Sequence, residues 1–203
     1  MRVILLGTGA SAGVPIIGGA DGSGNWGSCD PTELRNRRTR ASIVVESDKG
    51  TRLLVYGPNT PLRPADFAIP GQMITVVPDG YQDNLDVLAK ATTIIIKFAP
   101  GQLVPNRPGQ EGTIMNWTMD NIVAYSKICT HVGCPVALYE QTTHHILCPC
   151  HQSTFDATRG AQVIFGPAAR PLPQLPLGVD AQGFLVAESD YHEPVGPSFW
   201  ERG

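Results

Sequence analysis

With 203 residues and 42% hydrophobic side chains, the chain is long enough for one large or two small domains with cores of their own, which excludes disorder as the default. A formal net charge of −3 removes the general electrostatic case for nucleic acid, whose binders present a strongly basic surface. Apolar runs such as Ile43-Val44-Val45 and Ile94-Ile95-Ile96 fall far short of the roughly 18 residues of a membrane span, so no crossing is expected.

The 22 glycines and 18 prolines, with only 7% aromatics, favour short elements joined by many turns and so an all-β plan. The first expected strand is Val3 to Leu6, and the run Met1 to Gly7 is too short and too weakly charged for a signal peptide. A glycine-rich loop (Gly7 to Gly27) and a basic stretch (Arg35, Arg37, Arg38, Arg40) lead to two strands, Ser42 to Glu46 and Arg52 to Tyr56. The turn Asp48-Lys49-Gly50 would join these two as a hairpin. Pro58, Pro61, Pro64 and Pro70 mark a linker, which places an N-terminal β segment over 1–60 and a larger domain over 61–203.

In the larger domain, β-branched and aromatic residues bounded by Gly or Pro predict strands at Met73 to Val77, Thr92 to Phe98 and Ile122 to Tyr125. Further strands are expected at Val136 to Tyr139, His144 to Leu147, Gln162 to Phe165, Leu175 to Val179 and Gly183 to Ala187. Asp83 to Lys90 reads as a short helix, and Asp180-Ala181-Gln182-Gly183 turns the last strand pair. Many short strands at close spacing imply a β-sandwich or stacked antiparallel sheets.

Five cysteines are too few for a disulfide scaffold, and four of them fall within 129–150 beside two histidines, which points to a metal site. The segments are Cys129-Thr130-His131-Val132-Gly133-Cys134-Pro135 and, after a hairpin, Cys148-Pro149-Cys150-His151-Gln152-Ser153. Each offers a thiolate and an imidazole on a loop whose Gly and Pro let the backbone turn tightly. Donor chemistry alone admits zinc or an asymmetric two-iron cluster. The spacing separates them, because a zinc finger pairs C-x₂₋₄-C with H-x₃₋₅-H, whereas here C-x-H is followed by C-x₂-H.

These segments resemble the Rieske proteins, whose pattern is C-x-H-x-G-C and C-x-C-H-x-S. The resemblance implies one [2Fe–2S] cluster per chain, with Cys129 and Cys148 on the inner iron and His131 and His151 on the outer, more exposed one. It also implies Ser153 as a cluster contact and a cluster-binding subdomain at about 126–173 within stacked antiparallel sheets. Cys134 and Cys150 match the extra pair that members from quinol-oxidising cytochrome complexes link as a disulfide. Gly166-Pro167-Ala168-Ala169-Arg170-Pro171 looks like the proline loop that shields the cluster.

The run Ala124 to Cys129 and the ending Glu193 to Arg202 look most like the actinobacterial subunit of the cytochrome bc complex, a likeness that starts at Pro61. What it implies is the redox subunit of a quinol:cytochrome c oxidoreductase. His131 or His151 would meet a quinol held by a cytochrome b subunit, and the electron would go on to a c-type cytochrome. High-potential relatives present a serine and a tyrosine at the positions matching Ser153 and Phe155; a phenylalanine cannot donate that bond, so menaquinol is the expected quinol. The resemblance implies the extracytoplasmic face of the cell membrane, reached through partners or a missing anchor, with the chain soluble by itself.

Other readings carry different functions. A soluble Rieske carrier, or the small subunit of a molybdenum oxidase such as arsenite oxidase, fits the expected lack of an anchor. Gly7 to Pro15, Cys29-Asp30, Arg37 to Ser42 and Leu53-Leu54-Val55 resemble the opening strands of metallo-β-lactamase-fold hydrolases over 1–57. That family's H-x-H-x-D-H motif occurs nowhere in the sequence, so a non-catalytic fragment is expected there. Gly7-Thr8-Gly9-Ala10-Ser11-Ala12 matches a loose dinucleotide pattern, but Val14-Pro15 and Gly18-Gly19 forbid the helix that should follow. Structural roles are expected for His144 and His145, which alternate across a strand. His192 and the Arg35 to Arg40 stretch are expected in solvent, and Cys29 is expected to be inert.

Overall fold

The computed structural model describes residues 2–7, 42–46 and 50–198. The chain divides into two compact units, one containing β1 (Arg2–Gly7) and β2 (Ser42–Glu46), the other running from Ser47 to Pro197. β1 and β2 pair antiparallel, with Arg2 opposite Glu46 and Leu5 opposite Ile43. Among the described residues, β2 is thus paired with β1 and not, as the expected hairpin would require, with the strand over Thr51–Val55. β3 (Thr51–Val55) pairs instead with β4 (Met73–Pro78) and β13 (Leu185–Ala187), because a local turn signal at 48–50 announces a change of direction without naming a partner. The glycine-rich loop, Cys29 and the Arg35 to Arg40 stretch lie outside the described residues.

The larger unit contains a seven-stranded antiparallel sheet ordered β11-β6-β5-β4-β3-β13-β12, with β5 (Thr93–Lys97), β6 (Ile122–Ser126), β11 (Gln174–Leu175) and β12 (Leu177–Val179). β11 and β12 are its two edges, yet only Pro176 separates them along the chain, so the sheet curls until its edges nearly meet. The single strand expected over Leu175 to Val179 breaks at that proline, which has no N–H to give a ladder. Between β4 and β5 lies a short helix, α1 (Leu85–Ala91), whose N-cap Asn84 accepts a bond from the Val87 N–H.

β5 and β6 are buried on both faces. Ile94, Ile96, Val123 and Tyr125 pack into one core with Cys129 and Cys148, whereas Ile95, Ile122 and Ala124 pack into another with Leu53, Val76 and Leu185. The period-two alternation of a strand makes this division, so one element serves both the curled sheet and the lobe above it.

That lobe is a four-stranded antiparallel sheet, β10-β9-β8-β7, formed by β7 (Leu138–Glu140), β8 (His145–Leu147), β9 (Thr154–Asp156) and β10 (Gln162–Phe165). Ile146 and Phe155 face each other in register and form its buried centre. The Tyr125 hydroxyl donates to the Ala157 carbonyl at 3.0 Å and ties β6 to the lobe. The fold is all-β with stacked antiparallel sheets, as expected. Among the described residues no helix is long and apolar enough to cross a membrane.

Candidate metal centre

Two loops of the lobe repeat one backbone design. In the first, the Cys129 N–H donates to the Cys134 carbonyl at 2.8 Å, and the Cys129 carbonyl accepts from the Gly133 N–H at 3.0 Å. In the second, the Cys148 N–H donates to the Ser153 carbonyl at 2.8 Å, and the Cys148 carbonyl accepts from the Gln152 N–H at 2.9 Å. Each loop needs a left-handed residue at the same place, Gly133 at φ 85° and Gln152 at φ 61°. Glycine takes that conformation freely, while the glutamine holds it against steric cost. With these backbone groups satisfied inside each loop, the cysteine and histidine side chains are left for other partners.

Cys129 and Cys148 are free thiols, each 1% exposed. Burial pushes the Cys129 thiol up to about 11, against the pull of the His131 N–H and the Ser153 hydroxyl. A thiolate in such a place calls for a cation beside it. The His131 and His151 rings meet edge to face, 4.7 Å between centroids and 90° between planes. His131 Nδ1 is buried and has no hydrogen-bond partner, a costly state for a ring nitrogen unless a metal takes its lone pair. His151 is exposed, so the thiols lie inside and the imidazoles reach the surface. Two buried thiols, two adjacent imidazoles and an orphaned ring nitrogen fit a two-iron cluster of Cys₂His₂ ligation.

A Cys134–Cys150 disulfide links the two loops. The Sγ atoms of Cys134, Cys148 and Cys150 lie within 4.8 Å of one another, but the bridge occupies two of them, so only Cys148 of this trio is open to a metal. Ser153 is fully buried; its Oγ accepts from the Ala168 N–H at 3.1 Å, and its hydroxyl is among the groups that pull the Cys129 thiol down. Phe155 is equally buried and faces Ile146 and Val163.

The segment 166–171 crosses over the second loop at close range. A Cβ on Gly166 would sit 2.6 Å from Ser153 Cα, so only glycine permits the approach. The same segment meets the first loop where the Thr130 hydroxyl donates to the Arg170 carbonyl at 2.6 Å. This role of Thr130 was missed from sequence, since the middle residue of Cys-x-His carries no signal of its own.

The remaining histidines stand apart. His144 Nδ1 bonds the Tyr139 hydroxyl at 2.9 Å and its Nε2 the Gln102 amide at 3.1 Å, a structural arrangement as expected. His145 lies half-buried in β8. His192 differs from expectation: the Gln174 N–H donates to its Nδ1 at 3.2 Å and its ring packs edge-on against Trp117 at 5.1 Å, so it docks on β11 instead of standing free in solvent.

Compared with known proteins, the chain matches the Rieske [2Fe-2S] domain family over residues 95–176. It is 50% identical over 159 residues to the cytochrome bc1 complex Rieske iron-sulfur subunit of Streptomyces lividans, an alignment covering 76% of this chain and 89% of that relative. To the subunit of the same name from Streptomyces coelicolor it is 50% identical over 159 residues, 76% of this chain and 43% of the relative. For Corynebacterium diphtheriae the figures are 46% over 143 residues, 68% and 34%. The chain thus spans less than half the length of these last two relatives. Among solved structures, the cyanobacterial plasma membrane Rieske protein PetC3 from Synechocystis PCC 6803 aligns at 23% identity and a TM-score of 0.39, covering 63% of this chain and 95% of that one.

Proposed function

Because the chain belongs to the family of cytochrome bc1 complex Rieske iron–sulfur subunits, we propose that it takes single electrons from a quinol held by a cytochrome b subunit and passes them to a c-type cytochrome. When bound, the [2Fe–2S] cluster supplies the one-electron redox chemistry. Cys129 and Cys148 would hold one of its irons, and His131 and His151 the other. The observation that carries this reading is the polarity of the site: thiols 1% exposed at the bottom, and above them an imidazole pair whose buried Nδ1 at His131 has no partner.

If one ring nitrogen of each histidine held iron, as the orphaned Nδ1 of His131 suggests for that ring, the other would be left to accept a hydrogen bond, and then a proton, from a quinol hydroxyl. Negative charge added beside these imidazoles raises their basicity, so electron and proton uptake reinforce each other. Val132 next to His131, and Ile164 and Phe165 leading into the crossing segment, are exposed apolar side chains that suit a membrane-embedded partner. The quinol is menaquinol, since Phe155 has no phenolic donor for the cluster sulfurs. The protein works at the extracytoplasmic face of the membrane. The 50% identity to a bc1 subunit weighs against a soluble carrier or a molybdenum-oxidase subunit.

The test has two stages. Purified protein should be brown, contain two irons per chain and give the asymmetric Rieske electron paramagnetic resonance signal. Assembled with its partner subunits, it should then support menaquinol-dependent cytochrome c reduction. A Rieske signal without quinol-dependent turnover would leave the cluster standing and remove the bc1 role.

A further inference from the structure

A chain of hydrogen bonds runs from the first cysteine loop to the C-terminal segment, with Arg170 at its centre. Thr130, 3% exposed and set between Cys129 and His131, gives its hydroxyl to the Arg170 carbonyl at 2.6 Å. The Arg170 side chain, 18% exposed, donates from one nitrogen to the carbonyls of Pro194 and Gly196, each at 2.6 Å, and from another to the Glu193 carboxylate at 3.3 Å. The segment bearing those carbonyls is itself anchored. The hydroxyls of Tyr191 and Thr93 are bonded at 2.6 Å, and the Gln174 N–H donates to His192 Nδ1 at 3.2 Å.

The same crossing segment reaches the centre by a second route. The Ala168 N–H occupies an acceptor site of Ser153 Oγ at 3.1 Å, and a hydroxyl that accepts one bond donates the next more strongly. The Ser153 hydroxyl so held acts on the buried Cys129 thiol, pulling it down against the rise that burial causes. Drift of residues 168–170 would loosen both the Ala168–Ser153 and the Thr130–Arg170 bonds.

We propose that Arg170 is a positioning residue that sets the reduction potential of the centre from a distance, by clamping the Pro194 and Gly196 carbonyls and so holding residues 168–170 against Ser153 and Thr130. The proposal rests on the assignment of Cys129 and His131 to the cluster. Geometry, more than charge, does the clamping. A guanidinium presents its N–H groups in a rigid fork that an ammonium lacks, while the Glu193 carboxylate is 43% exposed and such a pair contributes little. A hydrogen bond to a cluster sulfur favours the more negative, reduced state, so release of the clamp lowers the potential.

Protein-film voltammetry and hydrogen exchange of the peptide spanning residues 166–171 test this on wild-type holoprotein, Arg170→Gln, Arg170→Lys, Thr130→Val and Glu193→Gln. Arg170→Gln and Thr130→Val are expected to lower the potential, with the double variant shifting less than the sum of the two. In Arg170→Gln the peptide should exchange at least tenfold faster. Arg170→Lys should not restore either property, and Glu193→Gln should match wild type in both. An iron-loaded Arg170→Gln with faster exchange but an unchanged potential makes the clamp merely structural and overturns the proposal, as does full rescue by lysine. If Arg170→Gln fails to load iron, the near-isosteric Thr130→Val decides alone, and an unchanged potential there is equally fatal. Wild-type protein lacking the Rieske signal would instead defeat the cluster assignment itself, a result separable from failure of the clamp.

Discussion

The two sheets of the larger unit are held together by different means. The seven-stranded sheet rests on continuous apolar runs: Ile94, Ile95, Ile96, Ile122, Val123 and Ala124 are all 0% exposed. In the four-stranded lobe, β7, β8 and β9 are three residues long each, too short to bury a comparable surface. What closes the lobe is a disulfide, two self-bonded cysteine loops, the Ala168–Ser153 bond and the close approach of Gly166. A lobe that must keep two imidazoles at its surface completes its core on the Ile94, Ile96 and Val123 side of the base sheet, and specific bonds add to that borrowed apolar area. The base sheet should therefore respond to lost volume, and the lobe to lost atoms.

The largest expected effect of a single lost atom set is at the histidines. His131→Ala or His151→Ala should abolish cluster assembly, since in the proposed ligation each imidazole is half of what the protein gives one iron. Iron analysis should find none, while circular dichroism of the base sheet persists. A variant with both irons and an unaltered spectrum would sink the ligand assignment and, with it, the division of labour between the regions.

The next change probes volume. Ile95 belongs to the core away from the cysteines, and Ile95→Ala should destabilise the unit by about 2–5 kcal/mol, read as a lower denaturant midpoint at unchanged slope. The reduction potential of the folded fraction should stay where it was. A potential that moved with the midpoint would mean that base and lobe are one energetic unit.

Breaking the disulfide acts on the lobe alone. The bridge closes a loop with a sequence separation of 16, worth on the order of 3 kcal/mol in chain-entropy terms. The Cys134→Ser, Cys150→Ser double variant should lose iron faster on warming, before the base sheet melts. Mass spectrometry finding both thiols free in oxidised wild type would contradict the bridge.

The same contrast explains what could be read without coordinates. Thr93–Lys97, Ile122–Ser126 and Gln162–Phe165 stand where β-branched and aromatic runs place them. Thr154–Asp156 was missed, because a three-residue strand directly after a tight turn shows no period. The partner of β2 was misread because a turn signal is local, while β1 is far away along the chain. At the centre, cysteine and histidine spacing names donors whose side chains are chemically distinctive. The contacts that position them are main-chain groups, the Ala168 N–H for Ser153 and the Pro194 and Gly196 carbonyls for Arg170. Every residue but proline offers that N–H and every residue that carbonyl, so no pattern of letters could single these out.

The smallest effect separates the two most buried positions of β9 and its approach. The Ser153 hydroxyl has a proton to give and pulls on the Cys129 thiol, whereas Phe155, fully buried opposite Ile146 and Val163, has no donor to offer. A hydrogen bond to sulfur that is stronger by about 1 kcal/mol in the reduced state raises a one-electron potential by about 40 mV. Ser153→Ala should therefore lower the potential by about that amount, and Phe155→Tyr should raise it by no more. Stability supplies the second reading, because a phenol buried without a partner destabilises by about 1–3 kcal/mol. A raised potential with the denaturant midpoint unchanged means that the new hydroxyl reaches a sulfur, and a lowered midpoint with no change in potential means that it does not. If neither substitution moves the potential, residues 153 and 155 do not govern the choice between menaquinol and a higher-potential quinol.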